Sequence, residues 1–511
     1  MLARVMGVTT IGIDARLVEV EVDVGTGLPA FNIVGLPDTA VQEARERVRS
    51  AIKNSGFTFP ARKITVNLAP ASLKKSGSDF DLPIACGILS ATEQISISPG
   101  KRVFMGELSL SGEIKPVKGV LPVAHTLGKE RDGHALFVSR DNAREGAVAG
   151  GVDVYGFGTL VELCDVLEGK RAVEPVQVEV ARWFTRVGED EEDLREVKGQ
   201  RHGKRALEIA AAGGHHLLFI GAPGSGKTML ARRLPSILPL LSLEEAIEVT
   251  KIHSVGGYLH DDRPLVTVRP VRSPHHTISD VALIGGGQWP RPGEISLAHH
   301  GVLFLDEVLE FRRNVLEALR EPLEEGRITI SRANSQATYP ARFMLVLSCN
   351  PCPCGYLGDS KRPCTCSFPA VARYRGKLSG PLLDRIDLQV EIPRLEYSEI
   401  ASENQEESSE TVRKRVERAR AIQNSRLRER SIRVNGDMKA RHVKTHCRCD
   451  DKAKKFLERA MENLAMSARG YHRVLKVART IADLAEMELI GIDQVAEAVQ
   501  YRTLDRKLLD G

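Results

Sequence analysis

The clearest chemical signature in this sequence is a glycine-rich segment that opens a predicted helix. Its residues are Gly221, Ala222, Pro223, Gly224, Ser225, Gly226, Lys227 and Thr228. An apolar run, 217–220, precedes it as a buried strand would. Strand, glycine-rich turn and helix in this order identify a phosphate-binding P-loop. We expect the backbone N–H groups and Lys227 to bind the phosphates of ATP, and the Thr228 hydroxyl to bind Mg²⁺.

A second predicted strand carries two acids. The stretch 301–307 is apolar until it ends in Asp306 and Glu307. A carboxylate at the end of a strand beside the P-loop can hold Mg²⁺, and we assign this role to Asp306. Glu307 can then polarise the attacking water. The two acids together with the P-loop predict ATP hydrolysis rather than nucleotide binding alone.

Two more polar side chains are candidates for catalysis. Asn350 follows a third predicted strand, 343–347, and could reach the γ-phosphate or its attacking water. Arg385 lies between apolar residues and could act as an arginine finger on the ATP of a neighbouring subunit. A salt bridge with Asp384 or Asp387 is the alternative role for this arginine.

Four cysteines form two close pairs directly after Asn350. Cys352 and Cys354 precede a polar loop, and Cys364 and Cys366 follow it. Four thiolates can provide a tetrahedral Zn²⁺ site, although spacers of two residues are commoner than the single residue within each pair here. Four free thiols and a redox disulfide are the alternatives, and a reducing compartment disfavours the disulfide.

Length and composition describe a multidomain globular protein. The 511 residues exceed what one hydrophobic core supports, and 42% are hydrophobic and 27% charged. A net charge of +5 permits a nucleic-acid partner without indicating one. No apolar run approaches the roughly 18–20 residues of a membrane span, and we find neither a signal-peptide pattern nor a disulfide framework. We therefore expect a cytoplasmic protein with no membrane partner.

Three folded regions are predicted along the chain. Residues 1–175 form an α/β unit, and 176–198 form a charged connector. Residues 199–395 alternate strands and helices around the P-loop, as in a parallel sheet with flanking helices. Residues 396–511 form a helical domain with a strongly basic start.

The first unit contains a clear amphipathic helix. We expect Asp38 to cap it, and the periodicity predicts an apolar face formed by Val41, Ala44, Val48, Ala51 and Ile52. Strands are predicted at 18–24 and 63–68, and a second helix at 82–90. The outer face of the first helix carries Arg45, Arg47, Arg49 and Lys53. We interpret these residues as a solvated face, with DNA binding as the alternative.

Four longer stretches carry specific motifs: 27–37, 72–83, 291–300 and 475–484. Together they resemble the ComM/YifB family of bacterial magnesium chelatase-like AAA+ proteins, and the resemblance runs across essentially the whole chain. It implies an α/β multidomain fold. The expected parts are an N-terminal Lon-protease-like domain of the ribosomal S5 domain 2 type, a AAA+ core of the MCM/chelatase clade and a C-terminal helical lid.

The resemblance also implies a homo-hexamer that uses ATP to drive branch migration of DNA recombination intermediates during natural transformation. In this clade a β-hairpin before the asparagine strand projects into the ring pore, and 328–339 alternates as such a hairpin should. Arg332, Asn334 and Ser335 are the candidates for DNA contact. The lid should supply an arginine to the γ-phosphate of its own subunit, for which we choose Arg473, with Arg469 second.

Other functions remain open. Where a Lon-type protease carries its nucleophilic serine, residues 79–82 read Asp-Phe-Asp-Leu, so we expect no peptidase activity. A AAA+ ring could instead remodel proteins, or serve as the motor subunit of a chelatase. Polypeptide-threading rings tend to carry an aromatic-hydrophobic-glycine pore loop. The hairpin here is polar with an arginine, which favours contact with phosphates and therefore DNA.

Overall fold

The computed structural model describes residues 1–75, 77–97, 101–130, 132–184, 192–259, 263–287, 290–332, 335–359, 361–401, 405–427, 432–464 and 466–502. Among these residues, no helix combines the length and the apolarity that a bilayer crossing requires. The described chain is a mixed α/β protein with two large sheets and a helical carboxyl-terminal region.

The amino-terminal unit is built on a seven-stranded sheet. Its elements are β1 (Leu2–Ile11), β2 (Asp14–Gly25), β3 (Ala30–Val34), α1 (Thr39–Asn54), β4 (Lys63–Ala69), α2 (Asp81–Ala91), β5 (Arg102–Phe104), β6 (Glu107–Leu108), β7 (Ile114–Lys115), α3 (Val120–Glu130), β8 (Ala135–Ser139), α4 (Arg140–Ala147), β9 (Asp153–Phe157) and α5 (Leu160–Leu167). The strand order is β3-β4-β2-β1-β5-β8-β9. β2 is antiparallel to both β1 and β4, and the other pairs in this sheet are parallel.

Helix α1 forms as the sequence predicts. The Asp38 side chain accepts a hydrogen bond from the Val41 N–H at 2.8 Å, which satisfies a donor that the first turn leaves free. All five residues of the predicted apolar face are buried. The interpretation of the outer face is wrong for Arg47, whose guanidinium donates to both oxygens of Asp81 at 2.6 and 3.0 Å. Because the Asp81 side chain is fully buried, its carboxylate needs this cation.

The second unit is built on a sheet of five parallel strands. Its elements are α6 (Arg201–Gly213), β10 (Leu217–Ile220), α7 (Lys227–Ile237), α8 (Leu243–Gly256), β11 (Val271–Arg272), α9 (Asp280–Ile284), β12 (Gly285–Gly286), β13 (Arg291–Pro292), α10 (Glu294–Leu297), β14 (Val302–Leu305), α11 (Arg313–Glu317), α12 (Arg320–Glu325), β15 (Arg327–Arg332), β16 (Ser335–Pro340), β17 (Met344–Cys349), α13 (Phe368–Arg375), α14 (Gly380–Leu383), β18 (Leu388–Glu391) and α15 (Tyr397–Ile400). The sheet order is β11-β14-β17-β10-β18. The residues that follow β10, β14 and β17 therefore lie at one edge of the sheet, the carboxyl edge.

The carboxyl-terminal helices pack onto this unit. They are α16 (Ser409–Leu427), α17 (Ala440–His446), α18 (Asp451–Asn463), α19 (Ala468–Leu484) and α20 (Ile492–Gln500). The predicted apolar stripe of α19 is confirmed, because Val474, Val477, Ala478 and Ile481 are buried and Leu484 packs beside them. These residues share one hydrophobic cluster with α6 and α7, which joins the carboxyl-terminal helices to the second unit.

The amino-terminal unit also contacts the second unit. The Glu145 carboxylate accepts hydrogen bonds from the Leu121 N–H at 2.9 Å and from the Ser254 hydroxyl of α8 at 2.6 Å. The turn between β1 and β2 lies against β16, since a Cβ on Gly12 would be 3.3 Å from the Thr338 carbonyl oxygen.

Candidate ATP site

The P-loop connects β10 to α7 through a turn that glycine makes possible. Gly224 and Gly226 have φ angles of 76° and 96°, in the left-handed region that glycine tolerates best. Gly221 lies so close to the residue that follows β18 that a Cβ would be 2.4 Å from the Ile392 carbonyl oxygen. The glycines therefore allow the tight backbone curve that presents N–H groups to a phosphate.

Lys227 links the P-loop to the neighbouring strand. Its buried ammonium donates to the carbonyls of Gly221 and Ala222 at 2.8 and 3.0 Å, and to Asn350 Oδ1 at 3.2 Å. Burial lowers the pKa of Lys227 below its usual value. The structure thus brings Asn350 to the P-loop, as expected from its position after β17.

The two carboxylates at the end of β14 differ in their surroundings. Asp306 Oδ2 accepts from the Thr228 hydroxyl at 2.8 Å, and its Oδ1 accepts from the Ser348 hydroxyl. The Thr228 and Asp306 oxygens form a hard donor pair that fits Mg²⁺. Glu307 is exposed, and its φ of 50° turns the chain sharply just after the strand. This exposure makes its carboxylate accessible to a reactant from solvent.

One polar atom of the P-loop is left unsatisfied. The Ser225 hydroxyl is buried, and among the described residues it has no hydrogen-bond partner. Such an orphaned group fits a ligand that supplies hydrogen-bonding oxygens. The P-loop, Asn350 and the Thr228–Asp306 pair therefore fit ATP with Mg²⁺.

Gln200 also contacts the P-loop, although no sequence motif pointed to it. Its side-chain amide donates to the Ser225 carbonyl at 3.0 Å and to the Pro393 carbonyl at 2.8 Å. It lies directly before α6 with a left-handed φ of 48°. Gln200 thereby ties the P-loop to the segment after β18.

Arg385 does not form either salt bridge that the sequence suggested. Its guanidinium contacts Glu324 and the Pro381 carbonyl instead. The side chain is almost fully buried, and its Nε has no hydrogen-bond partner among the described residues. Burial lowers the pKa of Arg385, and Arg320, Arg469 and Arg473 lower it further.

Arg473 lies at the opposite edge of the sheet from the P-loop of its own chain. Its Nη1 contacts Asp387 at 2.5 Å and donates to the Arg385 carbonyl at 2.8 Å. Asp387 directly precedes β18 and is 4% exposed. Burial alone would raise the pKa of Asp387, but Arg473 and a hydrogen bond to His215 outweigh it and hold the pKa well below its usual range. The structure therefore does not bring Arg473 to its own nucleotide site, because this buried carboxylate holds it.

The four clustered cysteines converge beside the P-loop. Their sulfur atoms all lie within 4.8 Å of one another. Cys352 Sγ is 3.4 Å from Cys354 Sγ and 3.6 Å from Cys364 Sγ, while the Cys354 N–H donates to Cys366 Sγ at 3.3 Å. Backbone N–H groups of Tyr356 and then Thr365 lower the pKa of Cys354 to about 6. The predicted ligand set is brought together, and three of the thiols are partly accessible.

Comparison with known proteins covers nearly the whole chain. Three family models match: "Magnesium chelatase, subunit ChlI" over residues 193–400, "Subunit ChlI of Mg-chelatase" over 20–142, and "Magnesium chelatase, subunit ChlI C-terminal" over 406–502. Competence protein ComM of Haemophilus influenzae is 44% identical over 99% of this chain and 98% of its own. YifB of Escherichia coli is 45% identical over 98% of this chain and 96% of its own.

This chain belongs to the ComM/YifB family. The Magnesium-chelatase 38 kDa subunit of Cereibacter sphaeroides is 26% identical over 38% of this chain and 57% of that subunit. ComM and YifB match nearly full length, so the chelatase subunit is the more distant relative. Membership in this magnesium chelatase-like AAA+ family agrees with the geometry of the P-loop site.

The predicted hairpin of this ComM/YifB family member is formed by β15 and β16. The two strands pair antiparallel, with Arg327 opposite Pro340 at the base and Arg332 opposite Ser335 next to the tip. Asn334 lies outside the described residues, as do the side chains of Arg332 and Ser335.

A further cluster, Glu248 with His299 and His300, also gathers potential metal ligands. His299 Nδ1 accepts a hydrogen bond from the Arg342 N–H at 3.0 Å, so its proton lies on Nε2 and points at Glu248, 3.2 Å away. Burial lowers the pKa of His299 to about 4, which favours this neutral form. A nitrogen that carries a proton cannot bind a metal, so we interpret the cluster as a hydrogen-bond network.

Proposed function

We propose that this protein is an ATP-driven DNA motor that promotes branch migration or unwinding of recombination intermediates. The observation that carries the ATP-driven part of the proposal is the arrangement of Lys227, Thr228, Asp306, Glu307 and Asn350 at one edge of a parallel sheet. Kinship with competence protein ComM supports DNA as the substrate. The proposed cofactors are ATP and Mg²⁺, with a structural Zn²⁺ at the four cysteines, and the proposed compartment is the cytoplasm.

In this proposal each residue has a role in hydrolysis. Lys227 exchanges backbone carbonyl partners for phosphate oxygens. Thr228 and Asp306 hold Mg²⁺, which when bound would neutralise charge on the β- and γ-phosphates. Glu307 removes a proton from the attacking water, and Asn350 orients that water or the γ-phosphate. The exposed position of Glu307 and the contact between Asn350 and Lys227 support these assignments.

We propose a homo-hexameric ring in which Arg385 reaches the ATP of the adjacent subunit. Within the described part of the chain nothing accepts a hydrogen bond from Arg385 Nε, which supports a partner outside its own chain. Arg473, which bonds to the Arg385 carbonyl, would then act on the same neighbouring site rather than on its own. Mixing Arg385→Ala subunits with Lys227→Ala subunits should restore part of the ATPase activity, because some interfaces are then intact. No recovery at any ratio, with rings still formed, would assign Arg385 to its Glu324 salt bridge.

The proposed domain organisation follows the sequence prediction. Residues 1–175 form a Lon-like domain without protease activity, 176–198 a linker, 199–395 a AAA+ core of the MCM/chelatase clade, and 396–511 a helical lid. The seven-stranded sheet, the five parallel strands and the final helices support these divisions.

The decisive experiment measures ATP turnover with and without forked or four-way DNA. We expect the native protein to be stimulated by DNA and to migrate branches. Glu307→Gln should bind ATP but not hydrolyse it, because the phosphate contacts survive while the base is lost. Near-normal hydrolysis by this variant would remove Glu307 from its role.

Substitutions in the hairpin formed by β15 and β16 test whether DNA is the substrate. Arg332→Ala, with Asn334→Ala and Ser335→Ala beside it, should leave basal ATPase unchanged and abolish both DNA stimulation and branch migration. Losing one phosphate contact should reduce the salt slope of DNA binding by about one. Arg327→Ala is the matched control, since it removes the same charge at the base of the same hairpin.

Two outcomes would redirect the proposal. If charge reversal at Arg45 and Arg49 on α1 destroys DNA binding while Arg332→Ala has no effect, the amino-terminal unit holds the DNA. If neither change affects DNA binding and an unfolded polypeptide stimulates the ATPase, the protein is a protein remodeller.

A further inference from the structure

We propose that a zinc ion bound by Cys352, Cys354, Cys364 and Cys366 fixes the loop that supports the P-loop and positions Asn350 for ATP hydrolysis. This inference rests on the proposed ATPase function and deepens it. It makes a metal site outside the phosphate pocket a requirement for turnover.

The sulfur positions fit zinc. A Zn–S distance of about 2.3 Å in a tetrahedron places neighbouring sulfurs about 3.8 Å apart. Three of the separations are 3.4, 3.6 and 3.6 Å, close to that value. All three are far longer than the S–S bond of about 2.05 Å in a disulfide. Backbone N–H groups of Cys354 and Cys366 point at sulfurs of the set, as outer partners of metal thiolates commonly do.

The cysteine loop touches the nucleotide site directly. It begins two residues after Asn350, whose Oδ1 accepts from Lys227. A Cβ on Gly355 would lie 2.7 Å from Pro223 Cδ and 4.0 Å from Asn350 Cγ. The backbone of the loop is therefore packed against the P-loop with no space for even a methyl group.

A second contact ties the same two segments together. Arg394 Nη2 donates to the Pro223 carbonyl at 3.4 Å, and its Nε lies 3.5 Å from Asp359 Oδ2 in the cysteine loop. The loop thus contacts the P-loop through Gly355 and through Arg394. Without an ion to hold the thiolates together, both contacts and the position of Asn350 would depend on a long polar loop with little regular structure.

The first test removes the ion. Full-length protein purified without chelator should contain about one zinc ion per chain by elemental analysis. Cys364→Ser with Cys366→Ser should lose it and lower the ATP turnover rate by about tenfold or more, since small misplacements of catalytic groups reduce rates strongly. Cys449→Ser, a partly buried cysteine of the lid region, is the control and should keep both zinc and turnover.

The second test keeps the zinc ion and disturbs only the contact between Gly355 and Pro223. Gly355→Ala pushes the loop from Pro223 while leaving all four cysteines in place, so zinc should stay and turnover should fall. Gly358→Ala is the matched control. Gly358 lies in the same loop with a similar φ of 81°, against 85° for Gly355, but a Cβ there meets nothing within 4 Å. The strain of a left-handed alanine is therefore common to both variants.

Hydrogen exchange separates this inference from the proposed function. Removing zinc from the native protein should increase exchange in 350–366 and in 221–226, and leave α19 unchanged. Protein without zinc, or equal turnover by Gly355→Ala and Gly358→Ala, would overturn the inference while leaving ATP hydrolysis in place. Zinc-dependent protection of the P-loop in a protein that never hydrolyses ATP would overturn the proposed function and keep the zinc-supported loop.

Discussion

Replacing Arg473 by alanine removes the cation that faces the buried carboxylate of Asp387. In the native protein that carboxylate contacts Arg473 Nη1 at 2.5 Å and His215 Nδ1 at 3.2 Å. Breaking a buried ion pair by removing one partner destabilises a protein by about 3–5 kcal/mol. Because His215 remains, we expect the lower end, about 3 kcal/mol, which corresponds to a fall in Tm of about 6–12 °C.

A second substitution shows whether the carboxylate causes this loss. Asp387→Asn added to Arg473→Ala removes the uncompensated charge, so only hydrogen bonds are lost. The double variant should recover most of the stability and remain about 1 kcal/mol below the native protein. Calorimetry gives the stability of the three proteins, and ATP turnover is measured on the same samples.

Acidification supplies an independent check through the sign of the pKa shifts. In the native protein the pKa of Asp387 lies below its unfolded value of about 3.9, so its stabilisation is present above that pH and is lost below it. In the Arg473→Ala variant, burial raises the pKa of Asp387. The buried charge therefore destabilises the variant at neutral pH, and protonation of Asp387 removes this destabilisation as the pH falls. The difference in the free energy of unfolding between the native protein and Arg473→Ala should therefore become smaller from neutral pH to about pH 4.

Some outcomes would contradict the dependence of Asp387 on Arg473. A loss of less than about 1 kcal/mol for Arg473→Ala, or a gap that widens on acidification, would mean that Asp387 does not depend on Arg473. If the double variant regains stability but not ATP turnover, Arg473 also acts on a phosphate. If it regains both, the arginine is a structural partner of Asp387.

Three other substitutions have definite expected outcomes. Arg47→Met should destabilise the amino-terminal unit by about 3–5 kcal/mol in urea unfolding, and Asp81→Asn should rescue it, because Asp81 is fully buried. Gln200→Ala should raise the KM for ATP roughly three- to tenfold in steady-state kinetics, since the buried Ser225 carbonyl of the P-loop loses its donor. Gly87→Ala should lower the free energy of unfolding by about 1–2 kcal/mol in calorimetry, because its Cβ would lie 2.5 Å from Val22 Cγ2.

Local pattern predicted the parts of the fold that depend on near neighbours. The cap and apolar face of α1, the strand β2 and the stripe of α19 follow from period and capping chemistry that act within a few residues. The P-loop could be predicted equally well, because its glycines, Lys227 and Thr228 lie in one segment. Asp306 and Asn350 could be placed beside it because strand ends of a parallel sheet meet at one edge.

Contacts between residues far apart in the chain could not be predicted from the sequence. Nothing near Gln200 in the sequence signals that its amide joins two loops, one of them 193 residues away. Arg385 has two nearby acids, yet it pairs with Glu324, 61 residues before it. Such choices are decided by burial and packing across elements, for which periodicity carries no information.

The left-handed backbone conformation of Glu307 sets selection for stability against selection for a carboxylate at this position. A side chain at a φ of 50° costs about 1–2 kcal/mol relative to glycine, which adopts that conformation freely. Screening for heat resistance alone would therefore favour glycine at this position and discard the carboxylate. If Glu307 is the proposed base, a population that keeps glutamate there has a less stable turn and retains ATP turnover, so the identity of this residue reports whether turnover is under selection.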